Sequence, residues 1–340
     1  MKIFQELSGV SLFSLILSEL NIEDSQIWSK LDAVILQDAV RFDADKSLHF
    51  DTQRSALHSC EMFLPMLQSV RSKHGMKILI EVKVCLVIDD WENFFENIFK
   101  FIIKNKLDGL KLKFIETSVL TKSLLKNMEK YFDFVIVLEM PDKFLDQDCG
   151  MLKHLIGCVD FVLLKAQGYF TTKFLNEVYG TKFHGLIAND DRSIDCVRGG
   201  LNNLFSKVGN LNSQVLLNIA TSGVKFHEGT VTEIYREDFY CNQEFPGTQC
   251  YFDDHLHLML KLWEFILKHK LAGVYLQDFK YDLPWVSKRS VLGCCFNFVR
   301  EQSIESSLHY TLFETNEISR APLDVRVLSS RTNTTESRGL

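Results

Sequence analysis

Runs of Val, Ile, Leu and Phe recur along the chain between stretches of amphipathic spacing, an alternation that predicts parallel strands covered by helices. Eight runs have strand length: residues 11–17, 33–40, 77–85, 109–115, 132–140, 160–165, 214–220 and 273–279. Helical spacing is clearest over 253–270, where Asp253 or Asp254 can cap the start and Leu256, Met259, Leu260, Trp263, Ile266 and Leu267 fall on one face. A second helix is predicted over 91–106, with Phe94, Ile98, Phe101 and Ile102 as its apolar stripe and Asp89 or Asp90 as its cap. Eight such strand–helix units predict an α/β fold, a (β/α)8 TIM barrel, as a single domain over residues 1–310. An open doubly wound sheet is the alternative, weakened by the lack of a GxGxxG turn after the first strand. Residues 226–250 show no clear period and read as a short loop insertion after the seventh strand. Residues 311–340, rich in Ser, Thr, Arg and Asn, read as a flexible C-terminal tail.

Composition narrows the functional classes. Of 340 residues, 46% are hydrophobic and 24% charged, so the chain can bury a large core. Its 38 basic and 44 acidic residues leave a net charge of -6, and the basic ones are dispersed, which argues against nucleic acid as a partner. The apolar run 10–17 is too short for a membrane span, and Glu6 and Glu19 beside it make a poor signal peptide. Nine cysteines without a CxxC spacing indicate neither a zinc site nor a redox motif. Cys241 and Cys250 could close a small loop, though free buried thiols are the simpler reading. His255, His257 and His269 read as surface histidines, so no metal and no cofactor is expected. The 27 Phe against nine Tyr and four Trp indicate apolar bulk without hydroxyl or indole donors.

The segment 89–116, DDWENFFENIFKFIIKNKLDGLKLKFIE, resembles glycoside hydrolase family 18, the chitinases and chitinase-like proteins, whose fourth strand carries DGxDxDxE. Residues 29–48, 158–164, 213–226, 251–254 and 271–274 are similar to other scaffold segments of that family, above all to its nematode-type chitinase-like members. The resemblance implies a TIM barrel, N-acetylglucosamine glycans such as chitin or chitooligosaccharides as partners, a role in carbohydrate metabolism and an extracellular setting.

It also implies where hydrolytic groups belong. In the family a Glu protonates the glycosidic oxygen while an Asp orients the substrate's acetamido group, whose oxygen attacks the anomeric carbon. Aligned on Asp108-Gly109, the acid's position is Ile115 and the two inner aspartates fall on Lys111 and Lys113. The sixth-strand Tyr-Asp pair falls on Gln167 and Gly168, the eighth-strand Trp on Gln277, and the third-strand Ser-x-Gly-Gly on residues 81–84. These degenerate positions imply a pseudoenzyme, with the alternatives of a protein-interaction scaffold without glycan binding and of a glycosidase with a relocated acid.

Lys111 and Lys113 share a strand face that the resemblance turns into the barrel, where a buried ammonium needs a partner. Glu81 is the first candidate partner, with Glu139 and Asp278 as alternatives. An internal ion-pair network is favoured over a Schiff-base lysine. Phe114, Tyr169, Phe226, Tyr281 and Trp285 are the substrate-binding candidates, able to stack on sugar rings or to pack loops and core.

Overall fold

The computed structural model describes residues 1–8, 12, 25–42, 47–51, 59–84, 90–114, 122–131, 133–139, 149–164, 197–219, 221–227, 230–234, 249–251, 258–259, 261–277, 282 and 290–305. Eight parallel strands close into a barrel: β1 (Lys2–Leu7), β2 (Ala33–Leu36), β3 (Lys77–Val84), β4 (Gly109–Phe114), β5 (Val135–Glu139), β6 (Phe161–Leu164), β7 (Val215–Ile219) and β8 (Gly273–Leu276). Each pairs with its sequence neighbours, and β8 closes on β1 with Gly273 opposite Lys2 and Tyr275 opposite Phe4. The fold is the (β/α)8 TIM barrel that the alternating pattern predicts.

One strand corrects the sequence reading. The first barrel strand is Lys2–Leu7, not the more apolar run at 11–17, of which only Leu12 is described, and that residue is helical and buried. The reason is a charge on the strand's inner face: Lys2, Phe4 and Glu6 alternate with Ile3, Gln5 and Leu7, so a strand buried from Ile3 to Leu7 reads as half-polar.

The alternation separates two apolar clusters. Outward residues such as Val34, Ile80, Leu112, Leu138 and Leu217 join the large layer beneath the helices. Inward residues Phe4, Ala33, Ile35, Leu79, Val137, Leu163, Leu216 and Tyr275 form a smaller cluster in the bore. Every barrel strand contributes to that inner cluster except β4, whose inward positions are Gly109, Lys111 and Lys113. A Cβ at Gly109 would stand 2.0 Å from the Val135 carbonyl oxygen, so the position admits no side chain.

Three aspartates repeat one device at the N-terminal ends of the strands. The Asp32, Asp108 and Asp160 carboxylates, just before β2, β4 and β6, accept the backbone N–H of Ile3, Ile78 and Ile136 at 2.8, 2.9 and 2.8 Å. Their own N–H groups donate back to the carbonyls of the same three residues. Each strand pair is thereby fixed in register, and Asp108, the residue on which the family alignment hinges, has this structural task. Arg71 adds an ion pair to Asp108 at 3.3 Å.

Helix α1 (Cys60–His74) is capped by Ser59 and ends at Gly75, whose left-handed φ of 72° suits glycine. Helix α2 (Trp91–Lys104) starts at Asp90, whose side chain accepts from Asn93 N at 3.0 Å. Phe95, Ile98, Phe99 and Ile102 are its most deeply buried apolar residues. Helices α3 (Lys122–Met128), α4 (Cys149–Gly157), α5 (Val197–Val208) and α6 (Val291–Glu305) follow β4, β5, β6 and β8 in the chain.

Two further readings change. The described part of the stretch after β7 is strand rather than loop: Gly223–His227 pairs antiparallel with both Thr230–Ile234 and Gln249–Tyr251. Before β8, Leu262–Lys268 is a π-helix, which turns the face expected from 3.6-residue spacing. Trp263 is consequently 44% exposed, while Leu262, Phe265 and the carboxylate-bearing Glu264 are buried. Glu264 is held by Arg198 at 2.5 Å and Lys268 at 3.3 Å, with His269 at 3.5 Å. No helix among the described residues is long and apolar enough to cross a membrane. Residues 311–340 lie outside the described residues.

Candidate functional site

Strand register brings the charged residues of the bore side by side on two successive levels. Glu81 of β3 lies opposite Lys111 of β4, and Lys83 opposite Lys113, which in turn faces Glu139 of β5. Because side chains alternate along a strand, Lys111 and Lys113 both enter the bore, the first deep and the second nearer its C-terminal mouth.

Lys111 is 1% exposed. Its ammonium donates to Glu81 Oε2 at 2.8 Å, to Glu6 Oε1 at 3.2 Å and to the Tyr275 hydroxyl at 2.7 Å, and stands 2.9 Å from Glu139 Oε2. One nitrogen thus ties five strands: β1, β3, β4, β5 and β8. Around it the network widens toward solvent. Lys113 reaches Glu139 Oε1 at 3.4 Å, and Lys83 reaches Glu81 Oε1 at 3.5 Å. Lys83 also pairs with Asp38, which occupies a left-handed conformation (φ 50°) just after β2. The Lys83 and Lys113 side chains are 33% and 32% exposed, so they form the upper, wetted layer.

Electrostatics fixes the protonation states. Burial works to strip the proton from Lys111, but Tyr275, Glu6, Glu81 and Glu139 outweigh it and hold the ammonium well above the ordinary lysine range. Burial also acts to raise Glu139, yet Lys111 and Lys113 bring it below the usual carboxylate value. Glu6 moves the other way: burial dominates, Glu81 adds repulsion, and Lys111 compensates only in part, so its carboxyl is raised. Burial, then the Glu6 charge, pushes the Tyr275 phenol well up, which keeps it a neutral hydrogen-bonding hydroxyl.

This arrangement orders charges more readily than it performs chemistry. A lysine held protonated is no nucleophile, since Schiff-base formation requires the free amine. Glu6, whose carboxyl burial raises, is 4% exposed and lies against Lys111. The structure brings Glu81, Lys111, Lys113 and Glu139 together, and adds Glu6 and Tyr275, which the sequence reading missed. Glu6 was hidden by the misplaced first strand. Tyr275 stands two residues before Gln277, the position on which that reading concentrated.

The other candidates fall elsewhere. Phe114 is buried on the outward face of β4, in the layer beneath the helices, and cannot stack on a ligand at the mouth. Its register partner is Val84, and the alternation that turns Lys113 inward turns Phe114 out. Gln277 follows β8 with its side chain partly buried, its carbonyl accepting from the buried Gln5 side chain at 2.6 Å. Phe226 belongs to the antiparallel sheet after β7, paired through its backbone with Val231 and Gln249. Ile115, Gln167, Tyr169, Tyr281, Trp285 and Asp278 lie outside the described residues.

No family model and no curated protein matches the sequence. Solved structures do. The Group IV chitinase of Ostrinia furnacalis superposes with a TM-score of 0.68 at 12% identity, over 88% of this chain and 100% of that one. The fold is that of the family 18 chitinases. A glycoside hydrolase family 18 N-acetylglucosaminidase from Paenibacillus barengoltzii gives 0.66 at 14% identity, over 87% and 99% of the two chains. Catalytic domain 2 of the Ostrinia furnacalis Group II chitinase, as a mutant in complex with (NAG)5, gives 0.65 at 12% identity over 88% and 97%. The chitinase-like fold therefore survives at identities where the site must be argued from its own residues.

Proposed function

We propose that this protein is a non-hydrolytic, chitinase-like barrel that binds N-acetylglucosamine glycans without cleaving them. The observation that carries the reading is the Lys111 ammonium at the centre of the bore, neutralised by Glu6, Glu81 and Glu139. A glycosidase builds positive charge on the sugar in its transition state and needs uncommitted carboxylates beside it. Here the central carboxylates are engaged by lysines, and a fixed cation occupies the place that the family alignment gives to an aspartate. The fold likeness, which includes a relative in complex with (NAG)5, supports the glycan half of the reading. The same filled bore favours a second reading, in which the barrel is a scaffold whose outer surface engages a protein partner.

The test pairs turnover with binding. Fluorogenic chitobiose and chitotriose substrates should release no product above the uncatalysed rate, while N-acetylchitooligosaccharides should raise the thermal midpoint and give a saturable calorimetric signal. Enzymatic turnover that survives repurification overturns the non-hydrolytic reading. Absence of any binding response overturns the glycan reading and selects the scaffold.

A further inference from the structure

On the outside of the barrel, three side chains with metal-ligating atoms converge at a place that no spacing motif marks. Glu129 opens a short 3-10 turn directly after α3. His154 stands in the last turn of α4, and Cys158 follows one helical turn later. The four-residue spacing places His154 and Cys158 above one another on the same side of the helix end. The Glu129 carboxylate, the imidazole and the thiol have ligand atoms that all lie within 4.8 Å of one another. His154 Nε2 and Glu129 Oε1 already touch at 2.5 Å. Cys158 is 4% exposed, whereas the Glu129 and His154 side chains are 44% and 48% exposed, so the cluster is anchored on one side and open to water on the other.

We propose that Glu129, His154 and Cys158 form a three-ligand site for a zinc-class divalent cation, completed by water on the open side. The ligand set selects the ion: a thiolate with an imidazole favours borderline-soft zinc over magnesium or calcium, which take oxygen ligands. The geometry needs only side-chain adjustment. Ligand bonds of about 2.0 Å to nitrogen and oxygen and about 2.3 Å to sulfur put tetrahedral neighbours roughly 3.3–3.5 Å apart. The histidine–glutamate contact therefore opens by less than an ångström, and the sulfur's distances close from within 4.8 Å. On binding, the Cys158 S–H bond breaks, a sulfur–metal bond forms and the proton passes to solvent. Carboxylate and thiolate then neutralise the dication, with the imidazole as a neutral ligand. Sequence spacing could not reveal the site, because its carboxylate comes from a segment 25 residues before the histidine.

Cadmium and cobalt titrations of the full chain test the proposal, because both ions report a thiolate ligand by a charge-transfer band, which in the cobalt form is lost when zinc displaces the ion. The expected result is one equivalent of metal with that band. Cys158→Ala should abolish the band, His154→Ala should weaken binding at least about tenfold, and Cys149→Ala, altering the exposed cysteine that starts α4, should leave both unchanged. His154 lies at the surface, so its variant keeps the test informative if Cys158→Ala destabilises the fold. A wild-type chain without the band, or a band that persists in folded Cys158→Ala, overturns the assignment.

Discussion

Replacing Lys111 by Met keeps the length of the side chain and removes its charge. Three carboxylates, on Glu6, Glu81 and Glu139, then surround an apolar group at distances that had been 3.2, 2.8 and 2.9 Å from an ammonium. Removing one partner of a buried ion pair costs about 3–5 kcal/mol, and the network-central position puts the expected loss in the upper part of that range. Glu139 keeps Lys113 and Glu81 keeps Lys83, but among the described residues Glu6 retains only the Tyr275 hydroxyl. The deficit must depend on pH. Lys111 lowers Glu139 in the native protein, so that group stabilises the fold above its unfolded pKa and loses the contribution as pH falls through its folded one. Glu6, raised in the folded state, contributes in the opposite sense: its share is present in acid and is lost as pH rises through its folded pKa. Without Lys111 both carboxyls move upward, so the variant's deficit relative to the wild type narrows on acidification. Urea unfolding of both proteins near neutrality and at about pH 5 measures the difference. Adding Glu6→Gln and Glu81→Gln to the variant should restore most of the loss. A deficit under about 1 kcal/mol at neutral pH, or one that does not narrow in acid, would refute the account of Lys111 as the counter-ion of buried carboxylates.

Other perturbations have sharp outcomes. Gly109→Ala places a methyl 2.0 Å from the Val135 carbonyl oxygen, so β4 and β5 must separate; soluble expression should collapse, or stability fall by more than about 3 kcal/mol in denaturant melts. Trp263→Ala should change stability by less than about 0.5 kcal/mol despite the residue's size, since the π-helix leaves its ring largely in solvent. Glu264→Gln should cost about 1–3 kcal/mol by thermal or chemical unfolding, because it weakens the charge-assisted contacts with Arg198 and Lys268. Those partners hold the Glu264 carboxyl low against the opposing effect of burial, so the loss should shrink as pH falls through its folded pKa.

The architecture was legible because most barrel strands are apolar on both faces. Ile78, Leu79 and Ile80 of β3, or Val215, Leu216 and Leu217 of β7, are buried one after another. Such runs declare themselves without any period. Where the bore carries charge, the signal inverts: Glu6 makes β1 look like an exposed segment, and the run at 11–17 outbids it on hydrophobicity alone. Trp263 misleads for a different reason, since the wider turn of the π-helix leaves its ring in solvent and buries Phe265, while Ile266 keeps its place in the expected stripe. At the site, alternation along β3, β4 and β5 was enough to group Glu81, Lys111, Lys113 and Glu139. Tyr275 and Glu6 were not legible, because they come from the two strands that close the barrel, and closure is a property of the whole chain. Phe114 shows the converse error, an aromatic chosen for its chemistry although its place in the alternation already turned it away from the bore.

The Lys111 cluster also bears on the order of folding. Its contacts span sequence separations of 30 residues to Glu81, 105 to Glu6 and 164 to Tyr275. A nascent chain that has made β1 to β5 can already gather the three carboxylates, yet the hydroxyl that completes the ammonium's shell arrives only with the final strand. Such long-range pairings form late and slowly. A fragment ending before β8 would therefore keep a charged, water-admitting bore, and its amide protons along β4 should exchange with solvent long before those of the finished barrel.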